Sequence, residues 1–195
     1  MSKAMSTRLS ILQKAFELTY KQGFQTTSVD DIIAQMDVTK GAFFYHFKNK
    51  DEMGVAMVNE VMYTGMKPYM LGALTKTEDV LSDIYDMISA LLLSNPFFDA
   101  RYGCPAVNIA DEMAPINDSF KKAIMRLMVD WQTAIEKALT DAKALGQINE
   151  SHDVKQIAIY ITANYSGIRN AGKLFGKSCY KDYLVQFKIY LNSLK

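Results

Sequence analysis

Three helix-start signals crowd into residues 28–49 and leave the chain little freedom there. Ser28 is followed by Asp31, Thr39 heads Lys40-Gly41-Ala42, and Asn49 is followed by Glu52. A Ser, Thr or Asn side chain at such a position accepts one of the backbone N–H groups a helix start leaves open, and an acid three residues on can answer back. Starts at 28, 39 and 49 leave room for helices of only about two turns, joined by tight turns.

The flanking sequence fits the same plan. A first helix is expected over about Thr7 to Gln22, with Leu9, Leu12 and Phe16 at i, i+3, i+7 and Gly23 as its stop. The second buries Val29, Ile32, Ile33 and Met36, and the break at Asp37-Val38 is assigned to a left-handed Asp37 with Val38 as a core plug. The third spans about Lys40 to Phe47, with Phe43, Phe44 and Phe47 bracing it from inside. The fourth runs from Asn49 to Gly65 or Met66, with a boundary at Lys67-Pro68.

Beyond that boundary the helices lengthen. One starts after Thr75 or Thr77 and carries Val80, Leu81, Ile84, Met87, Ile88 and Leu91 to a stop at Asn95-Pro96. A loop with Phe97, Phe98 and Tyr102 leads into a short helix from about Cys104 to Ala114. A long helix follows from about Asp118 to Leu145, stopped by Gly146, and two more cover about Ser151 to Phe175 and Ser178 to Ser193. With four prolines and no run of period-two alternation, the class is all-α, about nine helices in two regions: residues 1–50, and a larger region over 51–195.

Several function classes drop out. No apolar run is long enough to span a bilayer and the first ten residues lack a signal core, so a soluble cytoplasmic chain is expected. Cys104 and Cys179 lie far apart without a Cys or His at ligand spacing, which argues against a disulfide framework or a zinc site. The two histidines, His46 and His152, stand beside no credible nucleophile. Nothing calls for a cofactor, a metal or an enzymatic reaction.

Charge is informative only locally. The chain carries 22 Lys and Arg against 21 Asp and Glu, yet Val38 to Lys50 holds Lys40, Lys48, Lys50 and His46 with no carboxylate. A duplex is read by a short helix in the major groove while nearby cations and polar groups hold phosphates. Thr39 caps a helix with no acid in its first turn, and Gly41 and Ala42 are small enough to let the backbone approach the groove floor. Lys40, Tyr45 and His46 are long enough to reach bases or phosphates, with Thr27 and Lys50 as flanking phosphate clamps.

Read in order, Gly23-Phe24-Gln25-Thr26-Thr27-Ser28-Val29, Ile32-Ile33-Ala34 and Val38 through Lys50 resemble the DNA-binding signature of the TetR family over about residues 8 to 54. The resemblance implies a helix-turn-helix within residues 1–50, a ligand-binding and dimerising remainder, and repression of an operator relieved by a small molecule. The family usually carries Gly at position 37 and Tyr at position 44. Here Asp37 stands in the turn, and Phe44 lacks a hydroxyl often placed against a phosphate.

The remainder is less specific. Met87, Leu91, Phe98, Tyr102, Cys104, Asn108, Trp131, Tyr160, Asn164 and Tyr165 come from helices that line the effector pocket in resembling proteins, although each taken singly reads first as ordinary core. Cys104, Asn108 and Glu112 share one face. Cys104 is read either as an inert buried thiol or as an electrophile sensor at a helix start. In the last two helices, Ile159, Tyr183, Phe187 and Tyr190 exceed a simple amphipathic stripe, and Ala163, Gly167 and Ala171 would let helices approach closely. The resemblance implies that these helices pair in a homodimer, hence a palindromic operator. A helical small-molecule or protein-interaction module without operator binding shares the C-terminal pattern, and only the first region separates the two.

Overall fold

The computed structural model describes residues 3–75, 79–96 and 98–195, and among these the chain folds into nine helices with no strand. Helix α1 is Lys3–Gln22, α2 Val29–Ala34 and α3 Lys40–His46. Helix α4 starts as Lys50–Met57, widens into a π turn over Val58–Met62 and continues as Tyr63–Leu71. Helix α5 is Val80–Ser89 followed by a π turn, Ala90–Ser94. Then come α6 (Pro105–Met113), α7 (Asp118–Ala144), α8 (Val154–Phe175) and α9 (Ser178–Asn192).

The expected caps form. The Ser28 hydroxyl accepts the Asp31 N–H at 3.0 Å, and the Asp31 carboxylate in turn accepts the Ser28 hydroxyl at 2.6 Å and the Ser28 N–H at 2.8 Å, bonds that hold the Asp31 carboxyl below its ordinary range. Thr39 Oγ1 accepts the Ala42 N–H at 3.1 Å, and Asn49 Oδ1 accepts the Glu52 N–H at 2.8 Å. Gly23, at φ 95°, ends α1 by donating its N–H to the Thr19 carbonyl at 2.8 Å, and Gly146, at φ 69°, follows the end of α7.

Several expectations need correction. The turn between α2 and α3 uses no left-handed residue: among the described residues positive φ occurs only at glycine, and the chain leaves α2 through backbone bonds from Gln35 to Ile32 and from Met36 to Ile33. Pro68 lies within α4 instead of ending it. Its ring is on the exposed side while Met66 and Met70 are buried, so the carbonyl that loses its partner can face water. Asp79, not a threonine, caps α5, accepting the Ser82 N–H at 3.1 Å. Thr75 ends a short 3-10 turn, while Thr77 and Phe97 lie outside the described residues. Phe44 is 49% exposed and does not join Phe43 and Phe47 in the core. On a seven-residue helix, positions i and i+4 point inward together, and the residue between them on the turn is carried to the surface.

The described chain forms two compact units: the chain up to Gly65 with Pro105–Met125, and Met66–Cys104 with Arg126–Lys195. The first closes around Ile11, Leu12, Phe24, Ile32, Phe43 and Phe47, with Met53, Met57 and Met62 from α4. Met57 and Met62 are five apart, and the π turn between them keeps both buried where a regular α-helix would rotate one away. The second unit is built on the apolar face of α5, the Trp131, Ile135 and Leu139 stripe of α7, and the packed pair α8 and α9.

Candidate nucleic-acid interface

Helix α3 is held from within and open outward. Phe43 and Phe47 are buried with ring centroids 5.6 Å apart, and the Arg8 guanidinium lies 5.0 Å over the Phe47 ring while forming a two-pronged pair with Glu60. The Thr39 cap fixes the helix start. On the other side Tyr45 is 78% exposed, its ring edge-on to His46 at 5.0 Å, and Phe44 stands beside it. His46 and Ala42 are half-buried and Gly41 is exposed. A Cβ added at Gly41 would meet only Thr39 Oγ1 at 3.8 Å, so internal packing does not require glycine there.

Two cations of this stretch, Lys40 and Lys50, have partners in the chain. Lys40 pairs with Asp30 of α2 at 2.8 Å, both side chains exposed, so this pair is easily exchanged for another. Lys50 is half-buried: its Nζ donates to the Gln25 carbonyl at 3.1 Å and lies 4.6 Å from the Phe24 ring centroid. Burial pushes the Lys50 ammonium down from its ordinary value, opposed by the carboxylates of Asp51, Glu112 and Asp31. Thr27 is 1% exposed, and its hydroxyl donates to the Gly23 carbonyl at 2.6 Å and accepts from Gln22 Nε2 at 3.3 Å. Of the eight positions named from sequence, Thr39 to Ala42, Tyr45 and His46 are therefore gathered on or at the head of α3, whereas Thr27 and Lys50 are turned into the fold. The exposure of Phe44 and the pairing of Asp30 with Lys40 were not foreseen. The signal for Phe44 was its place one step beyond Phe43 on a helix too short to bury both.

The positions proposed for an effector divide in the same way. Met87, Trp131 and Tyr165 meet in the second unit: Trp131 Nε1 donates to Met87 Sδ at 3.4 Å, and its ring stands edge-on to Tyr165 at 5.1 Å. Leu91, Phe98 and Cys104 are buried and Tyr102 half-buried, with Phe98 5.1 Å from the Arg169 guanidinium. Cys104 is in no disulfide. Tyr160 is half-exposed against Tyr190, at 4.7 Å, and the Asn164 amide donates to the Tyr160 carbonyl at 2.7 Å. Asn108, half-buried on α6, belongs to the first unit. A groove of about 370 Å³ in the second unit is lined by Leu71, Leu74, Val80, Ala134, Ala138 and Leu145 beside the Lys137–Asp141 pair, all outside the sequence-based set.

Comparison with known proteins agrees along the chain. The family model described as "Bacterial regulatory proteins, tetR family" matches residues 11–57, and "Tetracyclin repressor-like, C-terminal domain" matches residues 80–187. A transcriptional regulator of the helix-turn-helix type from Lactococcus lactis subsp. lactis is 28% identical over 135 residues, 69% of each chain. The regulator TtgR of Pseudomonas putida is 27% identical over 85% of this chain and 80% of its own. In fold, a TetR-family regulator from Cytophaga hutchinsonii superposes with a TM-score of 0.89 over 100% of this chain and 98% of that one, at 18% identity. These relatives are regulators of transcription rather than enzymes, and no helix among the described residues is long and apolar enough to cross a membrane. Short capped helices presenting α3, continued by a helical C-terminal region that a second family model recognises, make this chain a member of the TetR family of transcriptional regulators.

Proposed function

We propose that the protein is a cytoplasmic, ligand-released repressor that binds a palindromic operator as a homodimer. Residues 1–50 serve as the DNA-binding domain and residues 51–195 as the ligand-binding and dimerisation domain. The observation that carries the reading is the outward face of α3: Tyr45 and Phe44 project from a helix braced by Phe43 and Phe47, beside a Gly41 with open space around it. That face suits a major groove, which admits a helix whose small residues approach the bases and whose longer ones reach edges and phosphates. Lys40, Tyr45 and His46 make the contacts with Gly41 and Ala42 at closest approach. Thr39 and Thr27 position the helix, Lys50 approaches phosphate, and Phe44 joins the contact surface.

The dimer face is assigned to α8 and α9, where Ile159, Leu174, Phe175, Val185 and Ile189 are exposed together with Ala163 and Gly167. Apolar side chains in such number at one surface favour burial against a second copy. Tyr160, half-exposed with its ring tilted against that of Tyr190, is assigned to this face. The effector is taken up within the second unit around Met87, Leu91, Trp131 and Tyr165, with Phe98, Tyr102, Cys104 and Asn164 as further candidate positions of that unit.

The test is binding to a duplex carrying the promoter region of the protein's own gene, measured by fluorescence anisotropy across a salt series. Affinity is expected to fall linearly on logarithmic axes with several counterions released, and Tyr45→Ala should weaken it by about tenfold without moving the thermal melt. Absence of salt-dependent binding would leave a small-molecule or protein-interaction module as the better reading.

A further inference from the structure

One residue of the α1–α2 turn is gripped from both sides. The Gln25 N–H donates to Glu112 Oε2 at 2.9 Å, Gln25 Nε2 donates to the Glu112 carbonyl at 3.2 Å, and the Gln25 carbonyl accepts Lys50 Nζ at 3.1 Å. Glu112 stands in the last turn of α6 and Lys50 opens α4, so two segments far apart in sequence meet on a turn directly before α2. We propose that this clasp is an internal lock on DNA binding: Glu112, through Gln25, holds Lys50 turned inward, and the phosphate-binding charge of Lys50 becomes available only when α6 draws Glu112 off the turn. The inference rests on the operator-binding reading above.

Three features support a lock over a passive brace. The Lys50 side chain is part-buried along the Phe24 ring, 4.6 Å from its centroid, whereas the other lysines of the basic stretch, Lys40 and Lys48, are exposed. A lysine so placed contributes less to phosphate attraction than one in solvent, because the ammonium is already bonded to a carbonyl and lies among carboxylates. The clasp is also polar and close to the surface, with the Glu112 bonds solvent-exposed, so releasing it costs far less than opening a core contact. Finally, Gly23 stands two residues from Gln25, and a Cβ built there would lie 3.0 Å from Glu112 Oε1, so the carboxylate is seated closely against this turn.

Other surfaces carry less. The groove lined by Arg8, Asp51, Glu52 and Asn117 is an open polar cleft with nothing to identify an occupant.

A double-mutant cycle tests the lock. Glu112→Gln keeps the shape but loosens the clasp, because a neutral amide oxygen accepts the Gln25 N–H less strongly than a carboxylate and no longer attracts the Lys50 ammonium. It should tighten binding to the promoter duplex by about three- to tenfold and steepen the logarithmic salt slope by about 0.9, the contribution of one more neutralised phosphate. Lys50→Ala should weaken binding in the parent protein and weaken it further in the Glu112→Gln background, the added loss being the whole of that gain. Lys50→Gln repeats the cycle while keeping a chain to pack on Phe24. A gain that persists without Lys50 would mean that Glu112 acts only by long-range repulsion of DNA, and equal losses from Lys50→Ala in both backgrounds would mean that Lys50 is never withheld; either result overturns the proposal. Failure of every form to bind DNA would overturn the operator reading itself, and the lock with it.

Discussion

Gly54 of α4 has the ring of Phe120 packed directly against its backbone: a Cβ built on Gly54 would lie 2.5 Å from Phe120 Cζ, with Phe24 Cε2 as close from another side. Both rings are buried and stand edge-on at 4.8 Å, so neither can retreat without disturbing the other. Replacing a helical glycine by alanine ordinarily adds about 0.5–1 kcal/mol. Here the overpacking outweighs it, and Gly54→Ala should destabilise by about 1–3 kcal/mol in urea melts. Gly65→Ala is the control: no atom lies within 4 Å of the added Cβ, so the propensity gain should stand. An unchanged or raised midpoint for Gly54→Ala would show that the rings can yield.

Phe44 supplies a second prediction. Its ring sits beside Tyr45 on the outward face of α3, without a hydroxyl to offer a phosphate oxygen. Phe44→Tyr adds one donor at a surface already half open and disturbs no buried atom. Operator affinity should rise by about fivefold, equivalent to roughly 1 kcal/mol for one added hydrogen bond, with an unchanged melting temperature. Equal affinities in an anisotropy titration would place the ring tip away from the DNA backbone.

The parts of this architecture that were readable in advance are those encoded over four residues. Ser28 with Asp31, Thr39 with Ala42 and Asn49 with Glu52 each close a bond within one turn, so sequence and structure agree on them. The π turn in α4 was written less plainly, in the spacing Met53, Met57, Met62: the step of five breaks a 3.6-residue period and needs a wider turn to keep the stripe buried. Gln25 and Glu112 were out of reach, because 87 residues separate them and neither belongs to a pattern that names the other. The inward turn of Lys50 rests on its bond to the Gln25 carbonyl, 25 residues away, which no local pattern announces. Phe44 was assigned to the core by its chemistry, and the short reach of α3 overrode it.

The exposed apolar residues of the last two helices predict an association equilibrium. Val185 and Ile189, 65% and 56% exposed, are four apart on α9 and share a face. A carboxylate at either position would have to be desolvated if a second copy packs there, at several times the cost of losing the aliphatic side chain. Val185→Asp with Ile189→Asp should therefore shift sedimentation from dimer to monomer while the far-ultraviolet circular dichroism stays helical. Operator affinity should fall with it, since two half-sites would no longer be bound by one particle. A double variant that still sediments as the parent does would move the interface elsewhere.

The acid limb of stability carries one more signature, centred on Glu17. Its carboxylate accepts from Lys14 Nζ at 2.7 Å and from Lys21 Nζ at 2.8 Å, and these bonds pull it down from 4.5 to about 2. Because the folded value lies below the unfolded one, the pair of bonds contributes fully above about pH 4.5, and the contribution drains away as pH falls toward 2. Glu17 keeps 45% of its side chain exposed, so solvent screens the pairs and the total at neutral pH should be no more than about 1 kcal/mol. A carbon-detected titration should find the Glu17 carboxyl midpoint near the lower value, and Lys14→Met with Lys21→Met should return it toward 4.5. In urea melts the parent and the double variant should differ at pH 6 and converge as the pH approaches 2; a Glu17 that titrates in the ordinary range in the parent would show that these lysines spend their time in solvent.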